Sequence, residues 1–374
     1  MAEGSRSRAG VALSAERFFA ASYAQARGRF LAAAEGAGLD VQSHAHPLTG
    51  RDGEPLAMDV ARQGAADAGA LLVVSSACHG VEGYCGSGVQ NALLADAGFR
   101  RAAAEAGVAV LYVHALNPWG FSWLHRTTHE NVDLNRNWQD FGRALPRNEG
   151  YDEIAHLVVP ARWPPGPEVE AGLQEFAARR GARALQSAVS GGQYHHPEGL
   201  FFGGHTPTWS RITLTHVLEK HGARCARLAW IDLHTGLGPS GHGERICADR
   251  DDAQALARAR AWWGPQVTSI YDGSSASALL TGMIFNAAYE ICPDAQYTGL
   301  ALEYGTLPLD EVLHALRADQ WLYNHPEAPA EQRDAIGRAM RAAFYTDGAE
   351  WKQRVVAQGL QAAHQAVAGL ASDD

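Results

Sequence analysis

The feature that most constrains the fold is an apolar strand pattern that ends in polar residues. The unbroken apolar run at 71–74 leads into Ser75-Ser76-Ala77-Cys78-His79-Gly80-Val81-Glu82, and glycines at 80 and 83 end the strand pattern. Such a run, bounded by glycine, is typical of a buried strand. In open α/β sheets, ligands bind outside the carboxyl ends of the strands. The pattern therefore predicts that His79 and Glu82 lie at a ligand site.

Other strand patterns along the chain end in the same way. The predicted strands 108–115 and 226–232 run into Asn117 and His234, and the strand 298–304 carries Glu303 near its end. Shorter strands are predicted at 41–47, 55–62 and 244–248, and helices at 14–37, 87–98, 167–189, 207–221, 252–263, 309–323, 330–344 and 348–370. Alternating strands and helices predict an α/β fold, with a mixed, mostly parallel twisted sheet covered by helices on both faces.

The sequence has neither an internal repeat nor a long linker. We therefore expect a single domain over residues 1–374, with its core at about 55–323. The helix 14–37 would precede this core, and the C-terminal helices would cover 309–370.

Composition excludes several classes of protein. Hydrophobic residues make up 46% and charged residues 19% of the chain, which fits a globular enzyme. The net charge of −10, without a lysine- or arginine-rich block, argues against a nucleic-acid partner. No apolar run reaches the roughly 18 residues that a membrane span needs.

Cysteine usage and the N-terminal stretch predict a cytoplasmic protein. Five cysteines without a Cys-x-x-Cys pair indicate neither a disulfide framework nor a cysteine zinc site. The apolar stretch after residue 10 is interrupted by Glu16 and Arg17, so a secretory signal is not predicted. Residues 1–10 are expected to form a short loose tail.

The polar residues at the strand ends are chemically complementary. An imidazole and a carboxylate three residues apart can bind one zinc ion from the same side, and a catalytic zinc takes a third protein ligand and leaves one position to water. A single histidine among 17 is usually structural. His79 with Glu82, Asn117, His234 and Glu303, each at the end of a strand, are difficult to attribute to chance.

Five motifs in a fixed order resemble a known family. They are His79-Gly80-Val81-Glu82, Asn117-Pro118-Trp119-Gly120, Val132-Asp133-Leu134-Asn135-Arg136-Asn137-Trp138, His234 and Glu303. Together they resemble the zinc carboxypeptidases of the M14 metallocarboxypeptidase superfamily, and within it an uncharacterised bacterial branch, the DUF2817-like proteins. The resemblance covers about residues 70–310, and the motif at 132–138 is its most specific part. It implies the α/β/α fold of that family.

The resemblance also implies roles for seven of the motif residues and for Arg126. The zinc ligands would be His79, Glu82 and His234, with one Zn2+ per chain, and Asp133 would orient His79. Glu303 would be the base that takes a proton from zinc-bound water, and Arg126 would polarise the scissile carbonyl. Asn135 and Arg136 would hold the terminal carboxylate of the substrate. The implied reaction is hydrolysis of an amide bond next to a free carboxylate, in a small peptide or an acylated amino acid.

Several points stay open at this stage. Asp232 lies two residues before His234 on the same strand face, and is either its orienting partner or an ordinary buried acid. A tyrosine that covers the substrate in digestive members has three candidates, Tyr271, Tyr289 and Tyr297, which spacing does not separate. Two rival functions remain: an N-acyl amino acid deacylase of the aspartoacylase type, and a non-catalytic module that binds carboxylates.

Overall fold

The computed structural model describes residues 14–372, and these form one seven-stranded sheet in the order β1-β2-β4-β3-β5-β7-β6. The strands are β1 (Val41–Thr49), β2 (Pro55–Gln63), β3 (Ala70–Ser76), β4 (Val108–His114), β5 (Arg227–Ser240), β6 (Gly243–Cys247) and β7 (Gln296–Gly305). The central strands β4, β3, β5 and β7 are parallel, whereas β1, β2 and β6 pair antiparallel with their neighbours. The predicted mixed sheet is confirmed. The expected tail at 1–10 lies outside the described residues.

Helices cover both faces of the sheet. They are α1 (Tyr23–Gly36), α2 (Gly83–Ala95), α3 (Ala97–Glu105), α4 (Pro118–Trp123), α5 (Glu149–Val158), α6 (Pro167–Arg180), α7 (Ala182–Ser190), α8 (Trp209–His221), α9 (Ala253–Trp263), α10 (Asn286–Ile291), α11 (Leu309–Asn324), α12 (Ala330–Phe344) and α13 (Ala349–Ala371). None of the helices within residues 14–372 has the length and apolar character needed to cross a bilayer.

Side-chain alternation along the central strands produces two apolar cores. Leu72 and Val74 of β3 belong to a core with α1, α2 and α13, whereas Leu71 and Val73 belong to a second core with α8 and α10. Successive strand residues point to opposite faces of a sheet, so a fully apolar strand can stabilise both cores. This explains why the run at 71–74 is apolar at every position.

Three predicted helices have different limits because caps and glycine interrupt them. The helix predicted from residue 14 starts at Tyr23, since Ser22 caps it and Ala15–Phe18 form a separate 3-10 turn. The helix predicted at 87–98 begins at Gly83 and ends at Ala95, and Asp96 then caps α3. The helix predicted at 167–189 is divided at Gly181, whose φ of +95° favours glycine. Helices α3, α4, α5 and α10 were not predicted.

The register of the parallel strands brings the predicted site residues together. His234 of β5 is paired with Glu303 of β7, and Asp232 with both Ser75 of β3 and Ala301 of β7. The loops after β3, β5 and β7 therefore leave the sheet at the same edge. Residues more than 200 positions apart in the sequence become neighbours there.

Candidate active site

The loop after β3 is held in place by the segment that carries Arg126. Gly80 N donates to Arg126 O at 3.0 Å, and Val81 N donates to His125 O at 2.9 Å. Only glycine fits at position 80, because a Cβ there would lie 2.1 Å from the carbonyl carbon of Gly120. These backbone contacts fix the direction in which His79 leaves the strand, and the short helical turn that follows returns Glu82 to the same side.

The three predicted metal ligands converge on one point. His79 Nδ1 lies 2.8 Å from Glu82 Oε1, His234 Nδ1 lies 3.1 Å from Glu82 Oε2, and the two Nδ1 atoms are 3.3 Å apart. All three side chains are buried. Zinc bonds of 2.0–2.1 Å in a tetrahedral arrangement place neighbouring donor atoms about 3.3 Å apart. The donor set, two imidazoles and a carboxylate at these separations, fits a zinc ion.

A buried carboxylate lies behind each histidine. His234 Nε2 is 2.7 Å from Asp232 Oδ2, and His79 Nε2 is 3.4 Å from Asp133 Oδ1. Burial disfavours the charged form of His234, but Asp232 outweighs it and raises the pKa of the imidazole well above its usual value. Carboxylates in this position place the ring proton on Nε2 and leave Nδ1 free for a metal. The structure thus places Asp232 against His234, in the position of an orienting partner.

The Asp232 carboxylate is itself held by two residues of the central strands. Ser75 Oγ donates to Asp232 Oδ1 at 2.5 Å, and Trp230 Nε1 donates to Ser75 Oγ at 2.6 Å. Ser75 and Trp230 could not be predicted as part of the site, because a serine and a tryptophan within apolar strands carry no metal-site signal. The same-face spacing of Asp232 and His234 was the only available clue.

Arg126 contacts two of the metal-ligand candidates, His79 and Glu82, and also Asp133. Its Nε donates to Asp133 Oδ2 at 3.0 Å and its Nη1 to Glu82 Oε1 at 3.4 Å, while its Nη2 lies 2.7 Å from His79 Nε2. Burial opposes the ionised form of Asp133, but Arg126, Arg136 and His79 together outweigh it and keep the pKa of Asp133 well below its usual value. A metal on His79 Nδ1 requires a proton on Nε2. This N–H can donate to Asp133, but Arg126 Nη2 is itself a donor and would have to turn away from it.

Glu303 lies next to the donor cluster at the end of β7. Its Oε1 accepts a hydrogen bond from Leu237 N at 3.0 Å. Burial, together with the negative charge of Glu82, raises the pKa of Glu303 to about 7. A carboxylate with a pKa near the ambient pH is suited to proton transfer.

Asn135 and Arg136 also line the site. Asn135 Oδ1 accepts from Ile284 N at 3.0 Å, and Arg136 donates to the carbonyls of Asn135 at 2.8 Å and Ser190 at 2.6 Å. Arg136 Nε is buried without a hydrogen-bond partner, and the nearest carboxylate oxygen of Asp133 is 4.0 Å from Nη1. Burial lowers the pKa of this guanidinium. An incompletely paired, buried guanidinium favours binding of an anion.

These residues surround a cavity of about 290 Å³. Helix α11 and Phe344 contribute to its wall. Its lining also includes the three metal-ligand candidates together with Glu303, Arg126, Asn135 and Arg136. Among the described residues, no tyrosine lines it. Tyr289 Oη instead donates to Asp249 and Tyr297 Oη to the carbonyl of Ala248, both behind the wall. Tyr271 is also absent from the lining.

Two further residues complete the surroundings of the site. The ring of Phe201 lies under both guanidiniums, with its centroid 5.0 Å from Cζ of Arg126 and 5.5 Å from Cζ of Arg136. Its sequence position gave no hint of this contact. Cys78 is fully buried in the second core, and burial raises the pKa of its thiol well above the usual value.

Solved structures to which the chain is similar include two carboxypeptidases and an ectoine utilization protein. Carboxypeptidase A from Helicoverpa armigera is 11% identical, with 86% of this chain and 73% of that chain covered, at a TM-score of 0.43. A metallo-carboxypeptidase from Burkholderia cenocepacia is 13% identical, with 87% and 69% covered, at a TM-score of 0.40. The ectoine utilization protein EutE (DoeB) from Ruegeria pomeroyi is 15% identical, with 76% and 67% covered, at a TM-score of 0.35.

Sequence comparison assigns the family. No curated protein matches the chain. A family described as "Protein of unknown function (DUF2817)" matches residues 19–358, which is most of the chain. The branch predicted from the motifs is therefore confirmed, and the chain belongs to the DUF2817 family.

Proposed function

We propose that this protein is a zinc-dependent hydrolase that cleaves an amide bond next to a free carboxylate. The observation that supports it best is the convergence of His79 Nδ1, His234 Nδ1 and the Glu82 carboxylate, in one cavity with Glu303 and Arg136. A metal site, a base and an anion-binding group are the parts that such a reaction needs. A zinc ion held by these ligands would supply a water of lowered pKa and a Lewis acid for the carbonyl.

Glu303 would carry protons between water and the leaving nitrogen. Its pKa of about 7, raised by burial, allows it to accept a proton at neutral pH and to release it again. Its hydrogen bond from Leu237 N holds one oxygen and leaves the other free for this transfer. In this role Glu303 would act twice in each turnover.

Two arginines would divide the negative charge of the substrate. Arg126 would stabilise the oxyanion that develops on the carbonyl, a contribution worth about 100- to 1,000-fold in rate for a single donor. Arg136 would bind the carboxylate of the substrate, since it lines the cavity and the nearest oxygen of Asp133 is 4.0 Å from its Nη1. Asn135 would add its amide group, whose oxygen is already fixed by Ile284 N.

Replacing Glu303 with Gln tests the base. We expect kcat to fall by about 100- to 10,000-fold, because a positioned base contributes this much, while zinc stays bound. The matched control is Glu244→Gln, which removes the carboxylate paired with Glu303 on the neighbouring strand but outside the cavity lining. Turnover that survives in Glu303→Gln, with zinc present, would show that the base is another group.

A deacylase of the aspartoacylase type is the second candidate. It is favoured by the lack of a tyrosine among the described residues of the cavity lining. Dipeptides and N-acyl amino acids, assayed side by side, separate the two candidates. The non-catalytic alternative fails if hydrolysis is observed and a chelator abolishes it.

A further inference from the structure

The charges in the cavity are all accounted for by the proposed reaction. Apart from the thiol of Cys247, the titratable side chains among its described lining residues are His79, Glu82, Arg126, Arg136, His234 and Glu303, each with a role above. Most of the remaining wall is formed by leucine, isoleucine, valine, alanine, methionine and phenylalanine. An unpaired polar group placed against such a wall is costly. The parts of the substrate beyond its carboxylate and amide should therefore be apolar.

One apolar wall lies beside the Asn135–Arg136 pair. Hydrogen bonds tie this pair to Ser190 and Ile284, and Met283 and Phe285 of the latter segment line the cavity. On the neighbouring strand β6, Ile246 is paired with Ala301 of β7. Ala301 lies two residues before Glu303, so both side chains lie on the same face of the sheet. A side chain next to the bound carboxylate would meet this apolar surface.

A second apolar wall is formed by one face of α11. Leu309, Val312, Leu313 and Leu316 all line the cavity, and their spacing of i, i+3, i+4 and i+7 places them on one side of the helix. Phe344 continues this wall next to Glu303, since its ring lies 3.0 Å from the position that a Cβ at Gly236 would occupy. None of the hydrogen bonds that hold Asn135 and Arg136 involves α11. The α11 wall and Phe344 thus border the Glu303 side of the cavity, whereas the Asn135–Arg136 pair is tied to Ser190 and Ile284.

The α11 wall also reaches solvent and lacks a partner for a cation. Leu309 is 56% exposed although it lines the cavity, so the apolar surface continues out of the mouth. The carboxylates in the described lining are Glu82 and Glu303, which the metal and the proton transfer would occupy. The free ammonium of a dipeptide would therefore have no counter-ion against this wall.

Resting on the proposed function, we propose that the substrate is an N-acyl amino acid with an apolar side chain and an apolar acyl chain of several carbons. The side chain would lie against Ile246 and Ala301, and the acyl chain along α11. Hydrolysis would join the oxygen of water to the acyl carbon and break the carbon–nitrogen bond, with a proton passing to the nitrogen. The products would be a fatty acid and an apolar amino acid.

Chain length gives the sharpest test. Each methylene buried adds about fourfold in affinity, so burial of three of the six extra methylenes of N-octanoyl-leucine favours it over N-acetyl-leucine by about 60-fold. We expect this ratio in kcat/KM with the zinc-loaded full chain. Calorimetric binding to Glu303→Gln should give the same order of affinities without turnover. N-octanoyl-aspartate and leucyl-leucine should both be poorer than N-octanoyl-leucine.

Leu309→Asp tests the α11 wall at an exposed position, where folding is not at risk. We expect it to lower the octanoyl-to-acetyl ratio by about tenfold, because a charge replaces apolar contact at the mouth. The matched control is Ile212→Asp on α8, which replaces a side chain that is 48% exposed and does not line the cavity. It should leave the ratio unchanged.

The outcomes separate the two proposals. If leucyl-leucine or N-acetyl-aspartate is cleaved as well as N-octanoyl-leucine, or if Glu303→Gln binds both acyl lengths equally, the inferred substrate class is wrong and the proposed function stands. If the zinc-loaded chain cleaves none of these compounds, the proposed function itself is wrong.

Discussion

Replacing Asp232 with Asn tests how the buried chain behind His234 controls metal binding. Asp232 Oδ2 lies 2.7 Å from His234 Nε2, and its Oδ1 accepts a hydrogen bond from Ser75 Oγ at 2.5 Å. Asn keeps the shape and can accept from Nε2, while its amide group donates to Ser75 Oγ. What is lost is the charge, and hydrogen bonds to charged groups exceed neutral ones by about 1–1.5 kcal/mol.

This loss corresponds to a zinc affinity about tenfold lower, at the low end of the 10- to 100-fold effect that such partners have. Asp232→Ala, which removes both hydrogen bonds, should approach 100-fold. The assay is competition for zinc with a chromophoric chelator at fixed pH, with urea unfolding of the metal-free proteins to show that both fold.

The control for this experiment is another buried acid. Asp249 accepts hydrogen bonds from Tyr289 Oη at 3.0 Å and Gly299 N at 3.2 Å, and it does not line the cavity. Asp249→Asn should leave the zinc affinity unchanged. Wild-type affinity in Asp232→Asn, or an equal loss in Asp249→Asn, would refute the reasoning that Asp232 sets the metal-binding nitrogen of His234.

Two further predictions concern the anion site and the core. Arg136→Lys keeps the positive charge but loses the planar guanidinium that binds a carboxylate in two places. We therefore expect kcat/KM for acyl amino acids to fall about 10- to 100-fold, mainly through a higher KM. An unchanged KM would contradict the proposal that Arg136 binds the substrate carboxylate. Burial lowers the pKa of His114 to about 4, below the value of about 6.5 in the unfolded chain. On acidification the unfolded chain therefore takes up the proton first, and stability falls as the pH drops below about 6.5. The free energy of unfolding, measured with urea, should fall by about 2 kcal/mol from neutral pH to pH 5, and this loss should be missing in His114→Phe. The same dependence of stability on pH in the wild type and the variant would contradict the prediction.

The strand ends and the site residues on them were predictable from the sequence. Apolar runs such as 71–74 have to be buried, and the polar residues that directly follow a parallel strand have to lie at one edge of the sheet. This logic does not depend on sequence separation, so His79 and Glu303 could be placed together before any coordinates. The predicted strand 298–304 lies within β7, whereas the predicted strand 226–232 starts one residue before β5, which continues through His234 to Ser240.

The walls of the cavity could not be predicted in this way. The apolar positions of α11 carry a helical period whether that face meets the sheet, another helix or a ligand. Phe201 and Ser190 approach Arg136 only through the tertiary packing of a long irregular segment. Asp232 was placed on the correct face by its spacing, but its hydrogen bond to Ser75 depends on the register of β3 and β5.

Metal content measured in parallel on the wild type and His234→Ala tests the central proposal most directly. His242→Ala, which removes an exposed histidine close by in sequence, is the control. The proposal predicts close to one zinc per chain in the wild type and in the control, and its loss in His234→Ala. No zinc in the wild type after reconstitution, or full retention in His234→Ala, would contradict it.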